Sequence, residues 1–245
     1  MDNLIAQWSR LYLMPGWATP ERLARHLQGQ ETLAVAPVDG LTRCIVLPFV
    51  MDGSGDAHWS ALCELAAILQ AQYGFPAPAV SISGADGYRL WLSCAAPVPV
   101  TQAQLLLERL RAAHGCVPAA DAGAPVALPP CIDAASGKWA AFIHPGMGAS
   151  FAEEPGLDMA PPLAAQAAFL EGVESIDAAR FAQALAALAP AAQPAAQAVP
   201  PPCAAPIEGL LLRDATLEDI VRHLHALNIE PTFRHLLPGR QAGRV

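Results

Sequence analysis

The sequence predicts an α+β fold, and three observations carry that prediction. Leu- and Ala-rich stretches of helical length alternate with short apolar runs of strand length. Turn signals, among them Asp39-Gly40 and the Gly84/Gly87 pair, fall between the apolar runs as hairpin punctuation. Of the 245 residues, 53% are hydrophobic and only 15% are charged, the balance of a packed globular chain and not of a disordered one. That length makes one large domain or two small ones and is enough to bury a substantial core.

The elements follow in order. Residues 1–29 read as helical: Thr19-Pro20-Glu21 is a start signal, with threonine as N-cap and proline at the first helical position. Leu11, Leu13, Leu23 and Leu27 supply an apolar face, and Gly29 ends the segment. Two strands are expected within 31–50, first Thr32-Leu33-Ala34-Val35-Ala36 and then, after the Asp39-Gly40 turn, Cys44-Ile45-Val46-Leu47. Pro48 has no N–H and blocks continuation as a central strand. Residues 51–56 form a Gly-rich loop. A helix over 57–73 places Trp59, Leu62, Leu65, Ala66 and Leu69 on one face. Residues 78–82 and 88–94 read as a hairpin around Gly84 and Gly87. A helix over 101–114 is capped by Thr101 and ended by Gly115. A Pro/Ala/Gly-rich connection over 116–137 leads to a strand, Trp139-Ala140-Ala141-Phe142-Ile143, and then to a loop through Gly146 and Gly148. One or two Ala-rich helices occupy 162–189.

Composition then changes. Residues 190–206 are dominated by Ala, Pro and Gln without a single charge, which suits a semi-rigid linker. Residues 207–245 form a C-terminal helical segment, opened by Thr216-Leu217-Glu218-Asp219 as a variant capping box, with Ile220, Leu224 and Leu227 on its apolar face. The domain plan is therefore 1–189, linker 190–206 and segment 207–245.

Formal net charge is -8, and Lys138 is the only lysine among 14 cations. Residues 207–245 carry five acids and five arginines, so the acidic excess lies before the linker. An acidic chain has no long-range attraction for polyanions, which argues against unaided binding to duplex DNA. The six cysteines (Cys44, Cys63, Cys94, Cys116, Cys131 and Cys203) contain no C-x-x-C pair, so they do not read as a zinc site. The start Met1-Asp2-Asn3 lacks the basic region of a signal peptide, and no apolar run is long enough to span a bilayer. A cytoplasmic protein with reduced thiols is expected.

The order helix, two strands, helix, hairpin, helix, strand resembles the archaeo-eukaryotic primase (primase-polymerase) superfamily. The nearest branch is the bacterial type found in TOTE conflict systems. His26-Leu27-x-Gly29 followed by Leu33-Ala34-Val35-Ala36-Pro37 resembles that family's approach to its first strand. Cys44-Ile45-Val46-Leu47 resembles the strand that delivers its catalytic acids, and Trp59 resembles the tryptophan that opens its next helix. Ser83-Gly84-x-x-Gly87-Tyr88-Arg89-Leu90-Trp91 resembles its S-G-x-x-G-x-H-hydrophobic-W motif. Pro97-Val98-Pro99-Val100, Gly137-Lys138-Trp139, Pro161-Pro162, Gln166 and Phe169-Leu170 match later parts. The resemblance covers roughly residues 20–176 and implies an RRM-like antiparallel sheet packed by helices.

It also implies a lost reaction. Active members hold two divalent metals with a D-h-D pair on the acidic strand, where h is hydrophobic. Alternating strand residues share a face, so both carboxylates meet the metals that activate the attacking hydroxyl. Here those positions are Pro48 and Val50, and the family histidine that contacts nucleotide phosphates falls on Arg89. The strand over 139–143 brings no carboxylate. No catalytic residue, metal ligand or cofactor is assigned.

The candidates for anion or nucleotide binding are Ser81, Ser83, Arg89 and Lys138. The fork of Arg89 suits bidentate contact with phosphate; Arg89 equally reads as a surface arginine on a half-buried strand, and the serines as ordinary turn formers. Lys138 follows Ser136-Gly137 but lacks P-loop spacing. Asp52, Asp56, His58 and His144 are weaker candidates. Asp52-Gly53-Ser54-Gly55-Asp56 starts like a calcium loop but fails it at Ala57 and Cys63. His223 and His225 diverge on their helix, and Cys131 has no local basic partner to make it a reactive thiolate. The expected function is a non-catalytic accessory or binding protein in a nucleic-acid context, with a nucleotide or single-stranded nucleic acid in the retained cleft. The alternative is a protein-interaction scaffold that recruits a partner through 207–245. A third reading is a divergent metal-dependent nucleotidyltransferase built on Asp52, Asp56 and His58. No membrane partner is expected.

Overall fold

The structure is a computed structural model that describes residues 1–189, with Val221 and His225 beyond them. The chain divides into two units, 1–191 and 192–245, and the architecture that follows is that of the first. The expected linker over 190–206 and the expected helix around Thr216 lie outside the described residues.

Two helices open the chain, α1 (Asp2–Leu11) and α2 (Pro20–Leu27). Residues 1–29 are thus not one helix. Pro15-Gly16 interrupts them, with Gly16 at φ +72°, where a proline and a left-handed glycine both oppose helix. Thr19 is the N-cap of α2, its hydroxyl accepting the Arg22 N–H at 3.4 Å, and Pro20 takes the first helical position. Then come β1 (Ala34–Val35), β2 (Leu41–Val50), α3 (Ala57–Tyr73), β3 (Ala79–Ile82), β4 (Gly87–Pro99) and α4 (Val100–Ala113). β5 (Val126–Ala127), β6 (Cys131–Ile132), β7 (Trp139–Ile143), a 3₁₀ helix over Pro145–Phe151, α5 (Leu163–Glu171) and α6 (Ala178–Ala187) complete the order.

Several boundaries differ from expectation for local reasons. Asp39 and Gly40 both have positive φ, 51° and 75°, as a two-residue primed turn requires. The strand before that turn nevertheless leaves its neighbour: β1 pairs with β5 in a separate two-stranded sheet. β2 runs straight through Pro48 because it is an edge strand, where a residue without an N–H is tolerated. Thr101 is not a cap. Pro99 occupies the N-cap position of α4 and no side chain caps it. The connection over 116–137 contains β5 and β6, whose two residues each are too few to leave a periodic signal.

The main sheet has the order β2-β4-β3-β7-β6, antiparallel throughout. In an RRM-like βαββαβ sheet the last strand would pair with the first; here β7 pairs with β3 instead. Side chains alternate across the sheet and supply two cores. Ile45, Leu47, Phe49, Val80, Ile82, Leu90 and Leu92 pack beneath α3, α4 and α6. Val46, Ala79, Trp91 and Phe142 pack beneath α1, α2 and α5. The result is three layers, with the sheet buried between helices. Among the described residues no helix is long and apolar enough to cross a membrane.

Candidate functional site

The register of the central strands gathers three of the sequence-selected positions. Ser81 on β3 and Pro48 on β2 both pair with Arg89 on β4. Directly paired residues project from the same face, so Pro48, Arg89 and Ser81 form a row across three strands. Val50, two residues on, pairs with Gly87. The row borders a cleft of about 260 Å³ that Ser81, Ser83, Asp86 and Arg89 line on one side and β5 and Asp133 on the other. Pro48 therefore lies directly beside Arg89, and Val50 one pair further along the same two strands.

The polar groups of the cleft are largely engaged. Arg89 donates to the Asp86 carboxylate at 2.8 Å and to its neighbour's carbonyl, that of Tyr88, at 3.0 Å. Burial alone pushes the Asp86 carboxyl up. The Arg89 charge, with hydrogen bonds from Ser83 and Arg89, outweighs that and holds it below the usual carboxylate range. The Ser83 hydroxyl accepts the backbone N–H groups of Ala85, Asp86 and Gly87 at 2.9–3.1 Å, so it shapes its own turn. Ser81 is fully buried and accepts the Trp91 indole N–H at 2.9 Å. Asp133, across the cleft, accepts the N–H groups of Ala135 and Ser136. One guanidinium therefore shares the cleft with two carboxylates, and an incoming anion competes with Asp86 for Arg89.

The remaining candidates lie apart. Lys138 does not line this cleft; its ammonium pairs with Glu154 and, at 3.7 Å, with Asp158. His144 caps the 3₁₀ helix, its Nδ1 accepting the Gly146 N–H at 3.0 Å. Asp52 and His58 line a second cleft, of about 290 Å³, at the start of α3. The Asp52 carboxylate accepts the Ser54 N–H at 2.9 Å and the Ser54 hydroxyl. Those bonds, the hydroxyl's foremost, hold its carboxyl below the ordinary value. Asp56 stands at the N-cap of α3, its backbone carbonyl accepting the Ser60 N–H at 3.0 Å while its side chain makes no cap bond. Among the described residues no three His, Cys, Asp or Glu side chains cluster as metal ligands. Burial, with Asp133 adding to it, pushes the Cys131 thiol up to about 12, which keeps it protonated and unreactive.

Sequence reasoning singled out Ser81, Ser83 and Arg89 around the glycine turn but missed both carboxylates of the cleft. Asp86 had a signal, an acid three positions before the arginine across a glycine turn. Asp133 had none, because a loop 44 residues downstream of Arg89 brings it there. No protein-family model matches the chain, and no curated protein matches it in sequence.

Proposed function

We propose that the protein is a non-catalytic binding protein of primase-polymerase descent, an accessory in a nucleic-acid context that takes a nucleotide-sized ligand in the Arg89 cleft. The observation that carries this reading is the row Pro48–Arg89–Ser81 beside a cleft, with no carboxylate on the strand where the resembled family keeps its metal ligands. Polymerase chemistry without those acids loses most of its rate. The strand order departs from an RRM-like sheet at β7, so the reading rests on the β2–β4–β3 face. At about 260 Å³ the cleft falls just below the roughly 300–1,000 Å³ of typical ligand pockets, which suits one nucleoside or nucleoside monophosphate and leaves little room for a triphosphate.

The test is a calorimetric titration at low salt with nucleoside monophosphate, triphosphate and short single-stranded DNA, each with and without Mn²⁺. Monophosphate binding is expected. Arg89→Ala should weaken it about tenfold, equal to ~1.4 kcal/mol, and Asp86→Asn, which frees the guanidinium, should tighten it. Absence of binding overturns the reading; Mn²⁺-dependent primer extension overturns its non-catalytic part.

One observation favours a second reading, a protein-interaction scaffold. Arg10, Arg43 and Arg109 bond backbone carbonyls, and Arg22, Arg25, Arg89, Arg180 and Lys138 bond acids. Among the described residues Arg111 is the cation left without such a partner, so few of their guanidiniums are free to meet a polyanion. Pull-down with residues 207–245 tests that alternative.

A further inference from the structure

A buried histidine with nothing to bond sits on the opposite face of the sheet. His58 is 6% exposed, and neither ring nitrogen has a hydrogen-bond partner among the described residues. Buried polar groups are normally satisfied. The ring is held against Tyr88, with centroids 5.2 Å apart and planes 28° from parallel, so it is fixed in place. Tyr88 is fixed in turn by its hydroxyl, which donates to the Gly148 carbonyl at 2.6 Å.

His58 also stands in the first turn of α3, a helix of 17 residues. The first N–H groups of a helix have no partner within it. Asp56 provides none here, since its side chain makes no cap bond, and the first turn carries no acid. The first-turn N–H groups of α3 therefore lack a side-chain acceptor as well. The second cleft, about 290 Å³, opens at this point. Phe49, Ala57, Ala61 and Val117 give it apolar walls, and Asp52 and His58 line it too.

We propose that this cleft binds a small monocarboxylic acid with an apolar tail. The carboxylate accepts hydrogen bonds from the α3 N-terminus and the His58 ring, and the tail packs against Phe49, Ala61 and Val117. The charge class follows from Asp52, with the exposed Asp56 at the N-cap adding to its effect. The Asp52 carboxylate is exposed and engaged with Ser54, so water and salt screen it against one negative charge. A dianion such as phosphate would face twice the repulsion and has no tail to bury. The site is separate from the Arg89 cleft, and the two proposals fail independently.

The test titrates the full chain with butyrate, butanol and inorganic phosphate and follows backbone amide NMR shifts. Butyrate is expected to shift the Ala57, His58 and Trp59 amides saturably, more tightly than butanol or phosphate. His58→Phe, which keeps an aromatic ring on Tyr88, should weaken butyrate about tenfold, the worth of one charge-assisted hydrogen bond. His58→Gln, which keeps an N–H donor, should lose less, and Arg89→Ala should bind butyrate as the parent does. Equal binding of butanol and butyrate overturns the proposal, as does tighter binding of phosphate. If His58→Phe fails to fold, a folded His58→Gln with affinity equal to the parent overturns it, and a folded His58→Phe with unchanged affinity does the same.

Discussion

Gly87 is held at φ +146°, and a Cβ there would stand 2.1 Å from the Phe49 carbonyl oxygen. Both the backbone conformation and the close approach of β2 demand glycine. Gly87→Ala should therefore lower stability by about 2–4 kcal/mol, combining strain and overpacking. Gly53→Ala, at φ +83° with nothing within 4 Å, should cost only the left-handed strain of about 1–2 kcal/mol. Urea denaturation of the two variants measures the difference, and equal losses would show that the Phe49 approach is unimportant. His26 makes the second residue-scale prediction. Its Nδ1 accepts the Leu33 N–H at 3.1 Å, so the proton resides on Nε2, which donates to the Leu128 carbonyl at 2.8 Å. Burial pushes its basicity below the ordinary value of 6.5, and the Leu128 and Glu31 carbonyls recover part of that. A histidine kept neutral in the fold but free to protonate when unfolded makes the unfolded chain bind more protons at low pH, so stability rises with pH. That stability is complete above 6.5 and is lost as pH falls from there through the lowered folded value. The lowered carboxylates Glu31 and Asp86, with ordinary values of 4.5 and 3.8, act only at more acid pH, which leaves the upper window to histidine. The urea midpoint should hold steady between about pH 7 and 8 and decline below about 6.5. A His26 ring resonance that titrates at or above the ordinary value would overturn the assignment.

Helix α5 closes an open sheet edge with a single side chain. β6 pairs β7 only at Trp139 and Ala140, so the edge of Phe142 has no strand beside it. Gln166, buried on α5, fills the gap: its amide oxygen accepts the Phe142 N–H at 2.8 Å and its amide nitrogen donates to the Phe142 carbonyl at 2.9 Å. The side chain thus copies the two bonds of a ladder partner. Gln166→Leu keeps the bulk and strands both backbone groups in the core, at about 1–3 kcal/mol each. Hydrogen exchange checks this directly, because the Phe142 amide should lose protection. An amide as protected as in the parent would show that another group can substitute. The same contrast explains what the sequence disclosed. Helix α3 and strand β7 were legible to the residue because each signals locally, by helical periodicity over 57–73 and by an apolar run after Gly137-Lys138. β5 and β6 were not, because a two-residue strand is defined by its partner, and β5 meets β1 across some ninety positions. The site divides in the same way. Ser81 and Arg89 flank one glycine turn that the sequence displays, and the hairpin register sets them side by side. Glu154 and Asp158 draw Lys138 away from the cleft, and Asp133 enters it, through loops whose paths no local pattern records.

On the scale of the whole molecule, the sheet binds the two cores into one cooperative body. Ile45 and Val46 are adjacent in β2 but belong to opposite cores, as do Leu90 and Trp91 in β4. Neither helical layer can leave without exposing strands that the other needs. The same coverage buries the aromatic residues of the second face: Trp91, Phe142 and Tyr12 are at most 1% exposed and contact one another. A base cannot stack on them, so any single-stranded nucleic acid must bind elsewhere than on the open sheet platform that single-strand binders use. Cooperativity can be read out from the tryptophans. All five lie between positions 8 and 139, and Trp59 is the one packed on the α3–α4–α6 core. In a Trp59→Phe background the remaining fluorescence comes from the other tryptophans, with Trp8 and Trp91 in the opposite core. Leu65→Ala removes a fully buried side chain from the α3 layer and should cost about 2–5 kcal/mol. If the layers unfold together, that loss appears in full in the fluorescence of the far face: the urea midpoint drops while the slope stays constant, because the surface exposed on unfolding is unchanged. If the far-face transition keeps its midpoint while the α3 layer melts early, the layers are independent and the sheet does not couple them.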